Sequence, residues 1–258
     1  MNFRKSRTAL TIGISAVLAA TLSIAAVGKA EALDAGPKNQ VFVTSDKVRL
    51  VADVYSPVGA SRHPAVILVH QLGEDRETME SLVKPLINAG FIVVNLDMRG
   101  HGRSTMQSGF LISFHDFKNQ NWAMLPSDLN QVTKDAAKMI PNFDGKKLAI
   151  IGASIGANAA LIDAGRDMNV KAVIALSPGL NFHDLQPATV MPSLKRIPVL
   201  LLAAKNDSYS TDSVTKLSKM DPGSSLKILE SGGHGYQMLV THQELNSDIA
   251  TWLHKAMP

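Results

Sequence analysis

Leu148-Ala149-Ile150-Ile151-Gly152-Ala153-Ser154-Ile155-Gly156-Ala157-Asn158-Ala159-Ala160-Leu161 is the stretch on which the fold turns. Its first four residues form an apolar run too short for a helix, which predicts a buried strand, and the small residues from Ile155 to Ala164, closed by Gly165, predict a helix. Between them stands Gly-x-Ser-x-Gly. A sharp turn from strand into helix crowds the backbone on both sides, so a Cβ at Gly152 or Gly156 would clash. Ser154 would then project at a helix N-terminus, where free N–H groups and the helix dipole favour negative charge. Alone the pattern is weak, since about one unrelated chain in ten of this length contains it by composition. A plain glycine turn with a capping serine accounts for it equally well. Its weight comes from the strand before it and the helix after it.

Working outward, Ala65–Val69, Phe91–Leu96, Ala172–Leu176 and Val199–Ala203 are further apolar runs with little alternation. Strands apolar on both faces belong in a parallel sheet covered by helices. Helices are expected over Glu77–Asn88 (closed by Gly90), Pro126–Met139 (closed by Pro141), Asp212–Lys219 and Glu244–Lys255. Strand and helix alternate, which predicts an α/β fold with a mostly parallel, doubly wound sheet. Upstream, Val41–Thr44 and Val48–Tyr55 alternate around Ser45-Asp46-Lys47, predicting an antiparallel hairpin at a sheet edge. No repeat or linker interrupts residues 33–258, so one domain is expected.

A serine hydroxyl needs a base within hydrogen-bond reach, and the base needs a carboxylate to hold it. Asp207 follows the run Val199–Ala203, at the C-terminal edge of the sheet, where sites in open α/β folds form. His234 lies in Ser231-Gly-Gly-His-Gly235, after Leu226–Leu229 and before the last helix. A turn aspartate and a surface-loop histidine are the duller explanations for each alone; three such residues in the order serine, acid, histidine, each after a strand, are hard to ascribe to chance. His183, His242 and His254 also follow Ser154, but none stands at a strand end, and solvent exposure is expected. His70-Gln71-Leu72-Gly73 follows Ala65–Val69, where the backbone N–H of Leu72, with that of Ile155, is expected to form an oxyanion hole; the Gln71 amide is the alternative to Leu72. His70 would tie that loop down.

The ends and the composition bound the rest. Arg4, Lys5 and Arg7 precede an uncharged, mostly apolar run from Thr8 to Gly28 and then Ala30-Glu31-Ala32, the pattern of a signal peptide cleaved after Ala32 or Ala30. An uncleaved anchor is the alternative; either places the remainder outside the cytoplasm, periplasmic or secreted. Without residues 1–32 the net charge falls from +4 to +1, so the composition makes no case for a nucleic-acid partner. There is no cysteine, which excludes disulfides, thiol chemistry and a lipid-modified N-terminal cysteine. The histidines show no metal-ligand spacing, and neither a metal nor a cofactor is expected.

Taken together, His70-Gln-Leu-Gly73, Asp97-Met-Arg-Gly-His-Gly-Arg-Ser104, Gly152-Ala-Ser-Ile-Gly156, Asp207 and Gly233-His-Gly235 resemble the α/β-hydrolase superfamily, most closely its small dienelactone-hydrolase-like and esterase-like members, over nearly all of residues 41–256. The resemblance implies that Asp97–Ser104 shapes the loop after the fourth strand. Dienelactone hydrolases proper use a cysteine nucleophile; a serine esterase is the better fit here. Only Ser177–Ile197 separates the sixth strand from the acid-bearing strand, so no large cap is expected. The insert Thr105–Leu125 brings Phe110, Phe114, Phe117 and Trp122, for which packing is the commoner fate. The expected activity is acyl transfer on a small-molecule ester, with membrane contact only through the N-terminal segment if it is retained. Perhydrolase, thioester or amide chemistry on the same residues is the nearest alternative, followed by a catalytically silent binding module.

Overall fold

The computed structural model describes residues 36–258, so the expected signal segment 1–32 lies outside the described residues. The strands are β1 (Lys38–Val43), β2 (Val48–Tyr55), β3 (His63–Val69), β4 (Ile92–Leu96), β5 (Met106–Gln107), β6 (Phe110–Leu111), β7 (Phe143–Ala153), β8 (Val170–Leu176), β9 (Val199–Ala204) and β10 (Ser225–Leu229). They form one 10-stranded sheet in the order β10-β9-β8-β7-β3-β4-β2-β5-β6, with β1 paired to β2. From β4 across to β10 neighbouring strands are parallel; β1, β2, β5 and β6 form the antiparallel end. The expected α/β-hydrolase sheet with an antiparallel N-terminal hairpin is therefore what the chain forms.

The helices are α1 (Val83–Asn88), α2 (Asn119–Trp122), α3 (Leu125–Met139), α4 (Ile155–Arg166), α5 (Met191–Leu194), α6 (Ser208–Met220), α7 (Gln237–Thr241) and α8 (Glu244–Ala256). They cover both faces. Ile67, Val69 and Ile150 pack with Leu129, Val132, Leu161 and Leu217 on one side, while Val66, Leu68 and Ile151 pack with Leu86, Ile249 and Leu253 on the other. Successive strand residues thus enter opposite cores, which is why these runs show no polar alternation. Each fully buried Leu, Ile or Val contributes about 1.5–3 kcal/mol by leaving water, enough to hold this cysteine-free domain by its cores.

Several boundaries differ from expectation, among them the starts of β1 (Lys38), β7 (Phe143) and α6 (Ser208), and two of the differences have identifiable reasons. Helix α4 runs past Gly165 to Arg166. A Cβ at Gly165 would stand 2.6 Å from the Val190 Cβ, so the glycine permits close packing and does not cap the helix. The segment expected as one helix over Glu77–Asn88 is a 3-10 turn, Arg76–Leu82, followed by α1. Pro85 lacks the N–H that a continuous α-helix would give to the Ser81 carbonyl.

The C-terminal ends of the parallel strands share one rim, and the loop Asp97–Ser104 is fixed there by buried polar groups. Asp97 accepts from the backbone N–H groups of Arg76 (2.9 Å) and Arg103 (2.7 Å) and is paired with the Arg76 guanidinium. Ser104 donates to the Asp97 carbonyl (2.8 Å) and accepts from Val51 N–H (2.8 Å). Arg99, almost fully buried, is neutralised by Asp128 (2.5 Å) and Asp46 (3.0 Å). Buried charges survive only when paired in this way.

Candidate active site

Ser154 sits between β7 and α4 with φ +52° and ψ −117°. Such a conformation is costly for a residue with a Cβ and persists only where the surroundings enforce it. They do so here: Ser154 N–H donates to the Leu176 carbonyl (2.8 Å), tying the turn to the end of β8. A Cβ on Gly152 would run into the Gly156 carbonyl, and one on Gly156 into the carbonyls of Val69 and His70. The two glycines thus let the turn close on itself and against the loop after β3.

His234 is carried on the loop between β10 and α7. Its Nε2 lies 2.7 Å from Ser154 Oγ and its Nδ1 lies 2.7 Å from Asp207 Oδ2. The neutral ring therefore donates from Nδ1 to the carboxylate and accepts from the serine hydroxyl at Nε2. Asp207 also caps α6, accepting from Ser210 N–H (3.2 Å). Burial raises its pKa, but hydrogen bonds from Ser210 and His234 outweigh that effect and hold the carboxyl below its usual value. It stays ionised, which keeps the ring in the tautomer the serine needs.

The loop bearing His234 is fastened by side chains rather than by strand or helix bonds. Gly233 N–H donates to Asn206 Oδ1 (3.1 Å), His234 N–H to Gln237 Oε1 (2.9 Å), Gly235 N–H to Ser177 Oγ (3.0 Å) and Tyr236 N–H to Gln71 Oε1 (3.3 Å). The acid loop, the end of β8 and the loop after β3 all reach it. No sequence motif marks Ser177 or Asn206 for this role, although Ser177 directly follows β8 and Asn206 closely trails β9.

The loop after β3 carries Gln71 and Leu72, the two candidates for one of the expected oxyanion donors. His70 is fully buried; its Nδ1–H donates to the Gln71 carbonyl (2.8 Å), and its Nε2 accepts from Met98 N–H (3.0 Å). Burial drives its pKa down to about 3, so the ring is neutral in this fixed tautomer. In a trans peptide C=O and N–H point in opposite directions. The His70 carbonyl faces the elbow at Gly156, which turns the Gln71 N–H away; the Gln71 carbonyl is held by His70, which turns the Leu72 N–H the other way. Between the two alternatives this arrangement favours Leu72. Neither Leu72 N–H nor Ile155 N–H is bonded within the described residues.

Beside these groups lies a cavity of about 270 Å³, lined by Leu72, Ile155, Phe182 and Tyr209 as well as by Ser154 and His234. No carboxylate, lysine or arginine lines it. Asn158 is fully buried at its base, donating to the Leu185 carbonyl (3.0 Å) and accepting from Gly179 N–H (2.9 Å). The remaining histidines stay apart from Ser154. His183 is not simply solvated, as expected: it stacks on Trp122 with ring centroids 4.8 Å apart. His242 bonds the Ser231 carbonyl (2.9 Å), whereas His254 is exposed.

This sheet, with a serine at the elbow after β7 and a histidine and an aspartate on later strand ends, defines an α/β-hydrolase. A family model described as Serine aminopeptidase, S33 matches residues 60–222, and the chain belongs to that family. It is 25% identical over 193 residues to a monoglyceride lipase homolog of Monkeypox virus, covering 74% of this chain and 62% of that protein. It is also 27% identical over 120 residues to an uncharacterized 31.7 kDa protein from the traX-finO intergenic region of Escherichia coli, covering 46% of this chain and 38% of that one. The chain thus spans 38% and 62% of the lengths of these two relatives. Among solved structures, the Pyrococcus furiosus esterase Pf2001 superposes with a TM-score of 0.69 at 19% identity over 86% of this chain and 91% of that chain. A dienelactone hydrolase from Anabaena variabilis gives 0.66 at 18% over 87% and 100%. The chain is a member of the α/β-hydrolase family and shares its fold with these esterase and dienelactone hydrolase structures.

Proposed function

We propose that this protein is an exported serine hydrolase that cleaves uncharged carboxylic esters through an acyl-enzyme. The carrying observation is the continuous hydrogen-bonded line from Asp207 through His234 to Ser154, with both links 2.7 Å long. His234 Nε2 takes the proton of Ser154 Oγ as that oxygen attacks the ester carbonyl carbon. The carbonyl oxygen becomes an oxyanion facing the Leu72 and Ile155 N–H groups. His234 then returns the proton to the departing alkoxide, leaving Ser154 acylated. Water, deprotonated by the same ring, attacks the acyl-enzyme and restores the serine. No step calls for a cofactor.

An ester is favoured over a peptide with a free N-terminus because the cavity has no acid to pair with an α-ammonium group. Asp207, behind His234, is committed to that ring and to Ser210 N–H. Export rests on the basic start, apolar run and Ala30-Glu31-Ala32 of the N-terminal segment, and N-terminal sequencing of protein recovered from the envelope or medium tests it: a first residue of Leu33 is expected. For the chemistry, purified protein should hydrolyse p-nitrophenyl acetate and take up a fluorophosphonate probe, and Ser154→Ala should abolish both. Labelling retained by that variant would move the nucleophile elsewhere.

A further inference from the structure

Most of the aromatic insert is packed, but its tip is not. Phe110 and Leu111 form β6 and are 76% and 80% exposed. Strand β5 pairs with β2 beyond the point where β4 ends, so the β5–β6 hairpin stands on the rim that holds Ser154. Across this end of the sheet the register aligns Val43, Arg49, Met106 and Leu111 as direct partners. Side chains of paired antiparallel residues share a face, and this face carries exposed Val43 and Leu111 around an exposed arginine. The β1–β2 turn is bonded to the hairpin turn, with Ser108 N–H donating to the Lys47 carbonyl (3.2 Å), which sets Lys47 beside it. Lys47, Arg49 and Arg103 are exposed and pair with no carboxylate among the described residues. The nearest acid in the turn, Asp46, is bound to Arg99. From the hairpin an aromatic row leads inward: Phe114 on His101 (4.1 Å), His101 by Trp122 (6.2 Å), Trp122 on His183 (4.8 Å), and His183 against Phe182 (4.5 Å), which lines the cavity.

We propose that this rim hairpin docks on an anionic lipid surface, with Phe110 and Leu111 entering the acyl boundary and Lys47, Arg49 and Arg103 meeting headgroup phosphates. Exposed apolar residues flanked by cations without a carboxylate partner complement a surface that is apolar below and negative above. Strand register places Arg49 in this cluster, the turn-to-turn bond places Lys47, and Arg103, whose guanidinium donates to Asn39 Oδ1 (3.2 Å), lies in the loop three residues before β5, so composition gives no sign of the cluster. Docking in this way would bring the cavity mouth to the lipid, so the inference deepens the ester-hydrolase reading by naming amphipathic esters held at an interface as substrates.

The absence of cysteine allows a direct test on the full chain. Leu111→Cys and, as a control, Met168→Cys are each labelled with an environment-sensitive fluorophore in a Ser154→Ala background, so that binding is read independently of catalysis. Met168 is 64% exposed and lies just before β8, at the opposite end of the sheet. Vesicles containing phosphatidylglycerol should shift the emission of the label at 111 to the blue and leave that at 168 unchanged. Phosphatidylcholine alone should do so only at far higher lipid. Adding Lys47→Gln, Arg49→Gln and Arg103→Gln should raise the lipid needed about a hundred-fold, while the same substitutions with Ser154 intact leave hydrolysis of soluble p-nitrophenyl acetate unchanged. No shift at 111, an equal shift at 168, indifference to the three neutral substitutions, or a shift at 111 that follows protein concentration without lipid, indicating a second copy on the patch, would each overturn the proposal.

Discussion

A Cβ on Gly235 would fall inside the van der Waals envelope of the Gln71 side-chain oxygen. The loop after β3 and the loop that carries His234 therefore touch, and Gln71 accepts from Tyr236 N–H across the junction. Gly235→Ala adds that clash to a φ of +60°. Because a displacement of about 1 Å costs near 10²-fold in rate, kcat for p-nitrophenyl acetate should fall by about that factor with KM little changed. Adding Gln71→Gly should recover part of the loss, which steady-state kinetics of the single and double variants will show.

His70→Ala removes both the clamp on the Gln71 carbonyl and the acceptor for Met98 N–H. An unsatisfied buried donor costs about 1–3 kcal/mol, and a misdirected oxyanion donor costs about 10² to 10³ in kcat. Urea unfolding and turnover should both report the change, with the larger effect on turnover.

Asp207→Asn should lower kcat by about 10⁴, because the amide cannot hold the ring in its productive tautomer. Burial raises the Asp207 pKa, yet the bonds from Ser210 and His234 bring it below the ordinary value. The folded state then binds this proton less tightly than the unfolded chain. Its stabilising contribution is present above the usual carboxylate range and is lost as pH falls through and below it. Thermal unfolding from pH 3 to 6 should show a shallower acid-side decline in the variant.

Asp163 lies in α4, 2% exposed, with one carboxyl oxygen lacking a hydrogen-bond partner. Burial, assisted by Asp167, raises its pKa to about 8. Between the ordinary carboxylate range and pH 8 the unfolded chain is ionised while the folded one keeps the proton, so stability falls as pH rises. Asp163→Asn should remove that slope, raising Tm at pH 8 and changing it little at pH 4.

Much of this was legible in the sequence because it rests on local rules. Strands β3, β7, β8 and β9 announce themselves as unbroken apolar runs; Ser154 and Asp207 stand just beyond β7 and β9, and His234 follows the shorter run of β10. The β5–β6 hairpin was not legible, since strands of two residues are too short to show a period. Gln71 and Ser177 were missed as supports because their roles depend on which distant N–H groups face them. The Leu72 and Gln71 alternatives differ only in peptide orientation, which no residue type encodes. At Gly165 a packing glycine and a capping glycine look the same until Val190 is placed beside it.

The histidine-bearing loop borrows its rigidity from Asn206, Gln237, Ser177 and Gln71. No single lender determines where the imidazole rests, so surrendering one loosens the ring slightly and leaves the others in force. On the proposed chemistry, turnover can thus be adjusted in small steps, by changes that never touch a reacting atom, and variation among natural or engineered forms of this protein should accumulate at those lenders before it reaches the serine.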